Sequence, residues 1–170
     1  MTYIIIGIIL LVIIYIFVTY NNLVQANNIV KEAFSTMDIY LKKRWDLIPN
    51  LVEVVKGYAK HEQGTLSKIA ELRASIYDNM PVNQKLDVNE KLTHGISSIM
   101  AIAENYPELK ANENFSQLSK ELVKIEDEIA NSRKYYNGAV RILNNKIQMF
   151  PSNIVASIFN FKIAYMFEAD

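Results

Sequence analysis

Cysteine is absent from the chain, and histidine is scarce, with only His61 and His94 present. The absence of cysteine excludes disulfides, thiol catalysis and cysteine-ligated zinc. A di-iron site in a helical bundle needs Glu-x-x-His on two of its helices, and that motif does not occur here. Glu90 precedes His94 by four residues and Glu62 directly follows His61, so neither pair has the required spacing. We therefore predict that the protein holds no metal and no cofactor.

Catalytic motifs and an excess of positive charge are missing as well. The sequence has no Gly-x-Ser-x-Gly motif and no glycine-rich phosphate loop. Lys and Arg together number 18, as do Asp and Glu, so the chain lacks the net positive charge typical of nucleic-acid binding. Five glycines and four prolines are few, which favours long helices over sheets with many turns. We predict a non-enzymatic protein without catalytic residues and without a nucleic-acid partner.

The long apolar run lies at the N-terminus. No charged side chain precedes Lys31, and between Tyr3 and Tyr20 only Thr19 is clearly polar. Roughly eighteen such residues form a helix about 27 Å long, close to the hydrocarbon thickness of a bilayer, about 30 Å. We predict that residues 1–20 are a transmembrane anchor and that residues 21–170 form one domain. The candidate membrane-spanning positions are Tyr3, Ile4, Ile9, Val12, Ile16 and Tyr20.

Two other interpretations of this run stay open. A cleaved signal peptide has a basic start, a shorter apolar core and a small-residue cleavage site, and the first residues here lack all three. A buried core helix of this apolarity needs a large domain around it, whereas about 150 residues remain. The uncleaved anchor is favoured over both.

Beyond the anchor, apolar residues recur at spacings of three and four, the period of an amphipathic helix and of a coiled coil. We predict an all-α fold in which the anchor continues into an antiparallel up-and-down four-helix bundle, followed by a short C-terminal helix and an apolar tail. The first bundle helix is predicted to end near residues 42–44, with Asp46 capping the next. The later helices are predicted at about 47–77, 87–106, 115–149 and 152–159, with a loop over 78–83.

Polar side chains interrupt or flank the predicted apolar stripes. Glu62 and Arg73 occupy two stripe positions of the second helix, where we interpret them as residues that set helix register. Glu62 as an acid with a perturbed pKa is the alternative. A polar stripe also flanks the fourth helix, as a solvated face, an interhelical network or a partner surface; Arg133 is expected to pair with Glu62 or Glu104. The network candidates are Glu62, Arg73, Glu104, Glu126, Arg133 and Asn137.

Several blocks of the sequence occur in a distinctive order. The longest covers residues 38–52, DIYLKKRWDLIPNLV, and others cover 104–115, 133–140, 150–153 and 167–169. Taken together they resemble the LemA family of bacterial membrane proteins over nearly the whole chain. Phe34 stands where that family usually has tryptophan, and Asn160-Phe161 where it usually has Gly-Phe. The resemblance implies a helical bundle on one N-terminal anchor, with the N-terminus outside, and it implies no activity.

Charge placement predicts the topology. Cations follow the anchor at Lys31 and at residues 42–44, and none precedes it, so we predict a single-pass protein of the cell membrane with the bundle in the cytoplasm. The predicted function is that of a scaffold or interaction protein. A sensor or accessory subunit that binds a small ligand or a partner protein in the bundle, and an unrecognised enzyme, are the alternatives.

The expected partners follow from the same features. They are membrane lipid, an unidentified protein, and further copies of the chain in a homo-oligomer. The apolar tail, residues 154–167, is predicted to pack across the end of the bundle, or else to lie on the membrane or on a partner. Gly7 alone gives no small-xxx-small motif, so tight pairing of anchors is not expected.

Overall fold

The computed structural model describes residues 1–72 and 77–167. In these ranges the fold is all-α, as predicted, and it contains no strand. The helices of the described residues, besides a 3-10 turn at Tyr77–Asn79, are α1 (Thr2–Tyr58), α2 (Gln63–Leu72), α3 (Val82–Glu104), α4 (Pro107–Ala111), α5 (Glu113–Gln148) and α6 (Ser152–Ile158).

Helix α1 runs for 57 residues without a break, so the predicted helix end near residues 42–44 and the cap at Asp46 are wrong. Pro49 lies inside the helix, where the missing N–H and the ring cost about 3 kcal/mol. Trp45, Ile48 and Leu51 around it are all buried, and burial of each such side chain contributes about 1.5–3 kcal/mol. The apolar face that continues past Pro49 therefore outweighs the local cost.

The chain turns at residues 59–62, so the helix predicted over 47–77 is also wrong in its extent. The carbonyl oxygen of Glu62 accepts hydrogen bonds from the N–H groups of Thr65 and Leu66, which begins α2. The apolar spacing does not reveal this turn, because the buried residues Leu66 and Ile69 continue the heptad register of the end of α1. Helix α3 begins at Val82, inside the predicted loop, and Pro107 begins the short helix α4.

The chain divides into two compact units, which we call the terminal unit (Met1–Thr36 with Ser132–Asp170) and the central unit (Met37–Asn131). In the central unit, Arg44 of α1 contacts Asn89 of α3, and Asp38 contacts Lys85. These pairs show that α1 and α3 run in the same direction.

Helices α2 and α5 run the opposite way. Tyr77, which follows α2, contacts Asp38 of α1. Glu126 of α5 contacts Arg44 of α1, and Asn112, which precedes α5, contacts Tyr58 at the end of α1. The directions of α1, α2, α3 and α5 therefore alternate, as predicted. Helix α2 lies close to α3, because a Cβ atom built at Gly95 would be 3.0 Å from Cγ1 of Ile69.

In the terminal unit, the start of α1 is almost wholly exposed. Tyr3, Ile4, Ile9 and Val12 project from it without burial. This stretch is long and apolar enough to cross a membrane by length and composition, and only 6% of its most apolar window is buried within the chain. Helices α1 and α5 are antiparallel here: Lys146 Nζ lies 3.4 Å from the carbonyl oxygen of Asn22, and the ring centroids of Phe34 and Tyr136 are 5.9 Å apart. The ring of Phe34 thus fills a packing position.

Candidate functional site

The central unit contains a fully buried arginine. Arg44 Nη1 donates hydrogen bonds to Thr93 Oγ1 and to Glu126 Oε1, each at 2.6 Å. Its Nη2 donates to the carbonyl oxygen of Asn89 at 2.5 Å and to Asn89 Oδ1 at 2.9 Å. One side chain of α1 therefore binds both α3 and α5.

The chemistry of this network is structural. A guanidinium keeps its charge at all accessible pH values and offers no acceptor, so Arg44 can neither take up nor release a proton in a reaction. Its side chain is 0% exposed, whereas that of Glu126 is 29% exposed. A buried charge is tolerated only where it is paired and hydrogen-bonded, as Arg44 is. The network holds three helices at one fixed register.

A second polar cluster lies around Asp38. Its Oδ1 accepts a hydrogen bond of 2.6 Å from the Tyr77 hydroxyl, and its Oδ2 pairs with Lys85 Nζ at 2.8 Å. Lys85 Nζ also lies 4.5 Å from the centre of the Tyr77 ring. Burial, and next the hydrogen bond to Asp38, raise the pKa of the Tyr77 hydroxyl well above its usual value. Tyr77 therefore remains a proton donor to Asp38 across the physiological range.

The terminal unit contains a different kind of site, where α5 binds the chain's own tail segment, residues 160–167. Asn144 Nδ2 donates to the carbonyl oxygen of Ala164 at 2.9 Å, and the Ala164 N–H donates back to Asn144 Oδ1 at 2.9 Å. Asn137 makes the same pair of bonds with Phe167, at 3.1 and 2.9 Å. Two side-chain amides thus satisfy both backbone groups of two tail residues.

The spacing of the two partners explains this match. Asn137 and Asn144 are one heptad apart, so they lie on one face of α5 and about 10.5 Å apart along its axis. In the tail, Phe161, Ala164 and Phe167 are less exposed than the residues between them, a period of three like that of polyproline II. Three residues of such a chain advance about 9.3 Å, which brings Ala164 and Phe167 level with the two amides.

Aromatic and backbone contacts complete the binding of the tail. The Tyr136 hydroxyl donates to the carbonyl oxygen of Tyr165 at 2.8 Å, and burial raises the pKa of that hydroxyl. The Arg133 guanidinium lies 4.5 Å from the centre of the Phe167 ring. Asn160, at the start of the tail, has a φ of 56°. Asparagine is one of the few residues besides glycine that adopt this left-handed conformation readily, which fits its place directly after α6.

The residues predicted as a polar network separate into different environments. Glu126 binds Arg44 in the central unit, whereas Arg133 and Asn137 bind Phe167 in the terminal unit. Glu62 lies in the turn before α2, and Glu104 is exposed as the last residue of α3. Arg73 lies outside the described residues.

Sequence reasoning missed the two strongest polar centres, Arg44 and Asp38. Arg44 follows Leu41 by three residues and precedes Ile48 by four, the spacing of a core-facing position in an unbroken helix. Because Arg44 directly follows Lys42 and Lys43, the three cations indicate the C-terminus of a helix more readily than a buried position. The signal was present, but it depends on knowing that α1 continues through Pro49.

The described part of the chain also has surface depressions outside these networks. One depression of about 700 Å³ is lined by Lys110, Glu113, Gln117, Lys120 and Lys124 on α4 and α5, and it is open to solvent. In the part of the chain that the structure describes, no three His, Cys, Asp or Glu residues are grouped as metal ligands. The buried polar side chains of the two networks are bound to one another.

A comparison with protein families fits this arrangement of helices. The LemA family model matches residues 33–170, which include the Arg44 network, the Asp38 cluster and the tail-binding face of α5. The chain belongs to the LemA family. It is 31% identical over 153 residues to Protein LemA of Metamycoplasma hominis, covering 88% of this chain and 68% of that protein.

Two other relatives are less similar in sequence. Magnetosome protein MamQ 2 of Paramagnetospirillum magneticum is 23% identical over 175 residues, covering 88% of this chain and 64% of that protein. Magnetosome protein MamQ of Magnetospirillum gryphiswaldense is 22% identical over 169 residues, covering 84% and 62%. The chain therefore spans somewhat less than two thirds of the length of these two relatives.

Proposed function

We propose that this LemA-family protein is a non-enzymatic scaffold that holds a helical bundle at a membrane and binds other proteins there. The observation that carries the proposal is the continuity of α1. One helix begins as an exposed apolar stretch and continues without interruption into the buried residues Leu41, Trp45 and Ile48. The apolar stretch and these buried residues therefore belong to one helix of 57 residues.

The predicted orientation has the N-terminus outside and the bundle in the cytoplasm. Because the chain has no cysteine, single cysteines introduced at Thr2 and at the exposed Ser97 report on each side. In intact cells a membrane-impermeant maleimide should label the Thr2→Cys protein and leave the Ser97→Cys protein unlabelled until the cells are lysed. Labelling of Ser97→Cys in intact cells would reverse the proposed orientation.

The scaffold role is tested by chemical crosslinking of the full chain in native membranes, followed by mass spectrometry. We expect repeated crosslinks from exposed lysines of the bundle, such as Lys120 and Lys124, to one or a few proteins. A variant with both lysines replaced by arginine controls for crosslinks that arise from abundance alone, since it keeps the charge and lacks the reactive amine. A bundle that gives no protein crosslinks, and that carries a small molecule when purified, would favour a ligand-binding subunit instead.

Self-association is the second part of the proposal. Anchoring confines copies of the chain to two dimensions, which raises their effective concentration. The outer side of the tail supplies an apolar surface, because Ile163 and Tyr165 are exposed while the tail lies on α5. We propose that copies meet through this surface and form a homo-oligomer.

A further inference from the structure

The end of the terminal unit formed by α6 lies beside the last turns of the apolar stretch of α1. Leu23 packs with Val155 and Ala156 of α6, and Ile16, Ile147 and Phe161 pack against this cluster. The ring of Tyr20 lies with its centre 4.7 Å from that of Phe159 and 5.8 Å from that of Phe161. These contacts fix α6 at the level of residues 16–23.

This end of the unit carries large apolar side chains that the described chain leaves exposed. We call it the α6 end and define it by the exposed residues Met149, Phe150, Ile154, Ile158 and Phe159. Phe150 is 79% exposed and Ile158 is 66% exposed. Ile154 and Ile158 are four residues apart, so they project from one face of α6. Soluble proteins seldom leave several such side chains together in water.

The level of the α6 end is set by the span itself. If Tyr20 marks the end of the apolar run, Ile16 lies about 6 Å inside it along the helix axis. Helices that lie in a membrane interface bury their apolar face about 5–10 Å into the boundary between headgroups and acyl chains. In a bilayer spanned by residues 1–20, the side chains of the α6 end would lie at the depth that such helices occupy.

The cations placed at the α6 end are Lys146 and Lys162, and between Ile129 and Phe167 the sequence has no Asp or Glu. Lys146 lies level with Asn22, just past the apolar run, and Lys162 directly follows Phe161. Cations at this level face the phosphates of lipid headgroups, and each basic residue near an anionic membrane surface contributes about 1 kcal/mol.

We infer that the α6 end is inserted into the leaflet around α1, with Phe150, Ile154 and Ile158 among the upper acyl chains and Lys146 and Lys162 at the headgroup phosphates. The protein is thus held by lipid at two places, the span and α6. This inference rests on the proposed membrane span. Contact with lipid is favoured over contact with a second copy because the apolar side chains are continuous with the span and are accompanied by cations.

The test uses the full chain with single cysteines, each carrying a nitroxide spin label, in nanodiscs of phosphatidylcholine and phosphatidylglycerol. Labels at Phe150→Cys and Ile158→Cys report on the α6 end. A label at Ile9→Cys reports on the span, and one at Tyr135→Cys reports on an exposed aromatic position of α5 more than a heptad and a half from Ile147. Collision with oxygen, which partitions into acyl chains, is compared with collision with a water-soluble nickel chelate.

Labels at Phe150→Cys and Ile158→Cys should resemble the Ile9→Cys label, accessible to oxygen and protected from nickel, and the Tyr135→Cys label should show the reverse. If the Ile9→Cys label is protected from nickel while both α6 labels are accessible to it, the inference about α6 fails and the proposed membrane span is supported. Access of nickel to the Ile9→Cys label would show that residues 1–20 do not span the bilayer. Spin–spin broadening at the α6 labels that disappears on dilution with unlabelled chain would assign this surface to a second copy and overturn the inference.

Discussion

At the scale of single residues, the pair of Arg44 and Glu126 is asymmetric, and that asymmetry is measurable. Glu126→Ala removes the carboxylate that lies 2.6 Å from the fully buried Arg44 guanidinium, which costs about 3–5 kcal/mol of unfolding free energy. Arg44→Met leaves Glu126, which is 29% exposed and can turn to water, so the main cost is the unpaired Asn89 carbonyl, about 1–3 kcal/mol. We expect Glu126→Ala to be the more destabilising change.

Urea unfolding of the full chain in detergent micelles, followed by circular dichroism, measures this difference. Glu121→Ala is the matched control, because Glu121 is an exposed acid on the same helix. It should change the unfolding free energy by less than about 0.5 kcal/mol. An Arg44→Met protein that is less stable than the Glu126→Ala protein would show that the guanidinium is not held by its charge partner.

Tyr77 gives the fold a dependence on alkaline pH. The pKa of its hydroxyl is raised in the folded state by burial and by Asp38, while in the unfolded chain it titrates at about 10. The folded state therefore keeps a proton that the unfolded state releases, so this contribution to stability is complete below about pH 10 and is lost as the pH rises further. Tyr77→Phe removes this dependence.

The measurement is the melting temperature between about pH 8 and pH 11. The unmodified protein should lose more stability over this interval than the Tyr77→Phe protein, although the variant starts lower because Asp38 has lost a donor. Tyr135→Phe, at an exposed tyrosine, serves as control and should follow the unmodified protein. Parallel pH curves for Tyr77→Phe and the unmodified protein would contradict the role given to Tyr77.

At the scale of elements, the tail segment is held by backbone contacts that can be removed singly. Asn137→Ala and Asn144→Ala each delete both hydrogen bonds to one tail residue, and the double variant should release the tail from α5. Hydrogen exchange of the Phe167 and Ala164 amides reports on this directly, because each N–H donates to one of these asparagines.

We expect each single variant to raise the exchange rate at its own partner amide at least tenfold, and the double variant to raise both. Asn145→Ala is the matched control, since Asn145 is exposed on the same helix and its side chain makes no hydrogen bond to the described residues of the tail. Unchanged exchange in the double variant would mean that Tyr136 and the burial of Phe167 hold the tail without the amides.

The elements also show where sequence reasoning succeeds. The ends of α5 and α6 lie within two residues of their predicted positions, because a long apolar stripe defines α5 and Pro151 separates the two helices. The ends of α1 and α2 were wrong for opposite reasons. Pro49 indicated a helix start although buried neighbours outweigh its cost, and the turn at residues 59–62 left the heptad register unchanged. Apolar spacing in a sequence indicates which face of a helix is buried, but it does not indicate whether the helix is continuous.

At the scale of the molecule, the all-α fold and the alternating direction of the helices could be predicted, because both follow from apolar periodicity and short connections. The hydrogen-bond networks could not be predicted. Arg44 with Asn89, and Asn144 with Ala164, join residues far apart in the chain, and no local spacing encodes such a pairing. Glu126, Arg133 and Asn137 are identified from the sequence as candidates, but their partners depend on tertiary structure.

The last prediction concerns assembly. The tail lies with Phe167 buried against α5, while Ile163, Tyr165 and Met166 remain on its outer side. If copies meet through that outer side, the detergent-solubilised full chain should exceed the mass of one chain plus its micelle in light scattering. Deletion of residues 160–170 should reduce the mass to that of one chain while leaving the helix content nearly unchanged, because the tail is not helical.

A second variant separates the outer side of the tail from its docking on α5. Replacing Ile163, Tyr165 and Met166 by serine leaves the bonds of Asn137 and Asn144 in place, since those asparagines bind the backbone of Ala164 and Phe167. This variant should become monomeric with slow exchange at the two tail amides, whereas Asn137→Ala with Asn144→Ala should lose both docking and assembly. A full chain that is monomeric at every concentration would exclude assembly, and a serine variant that still assembles would show that the contact lies elsewhere, on the flanks of the bundle.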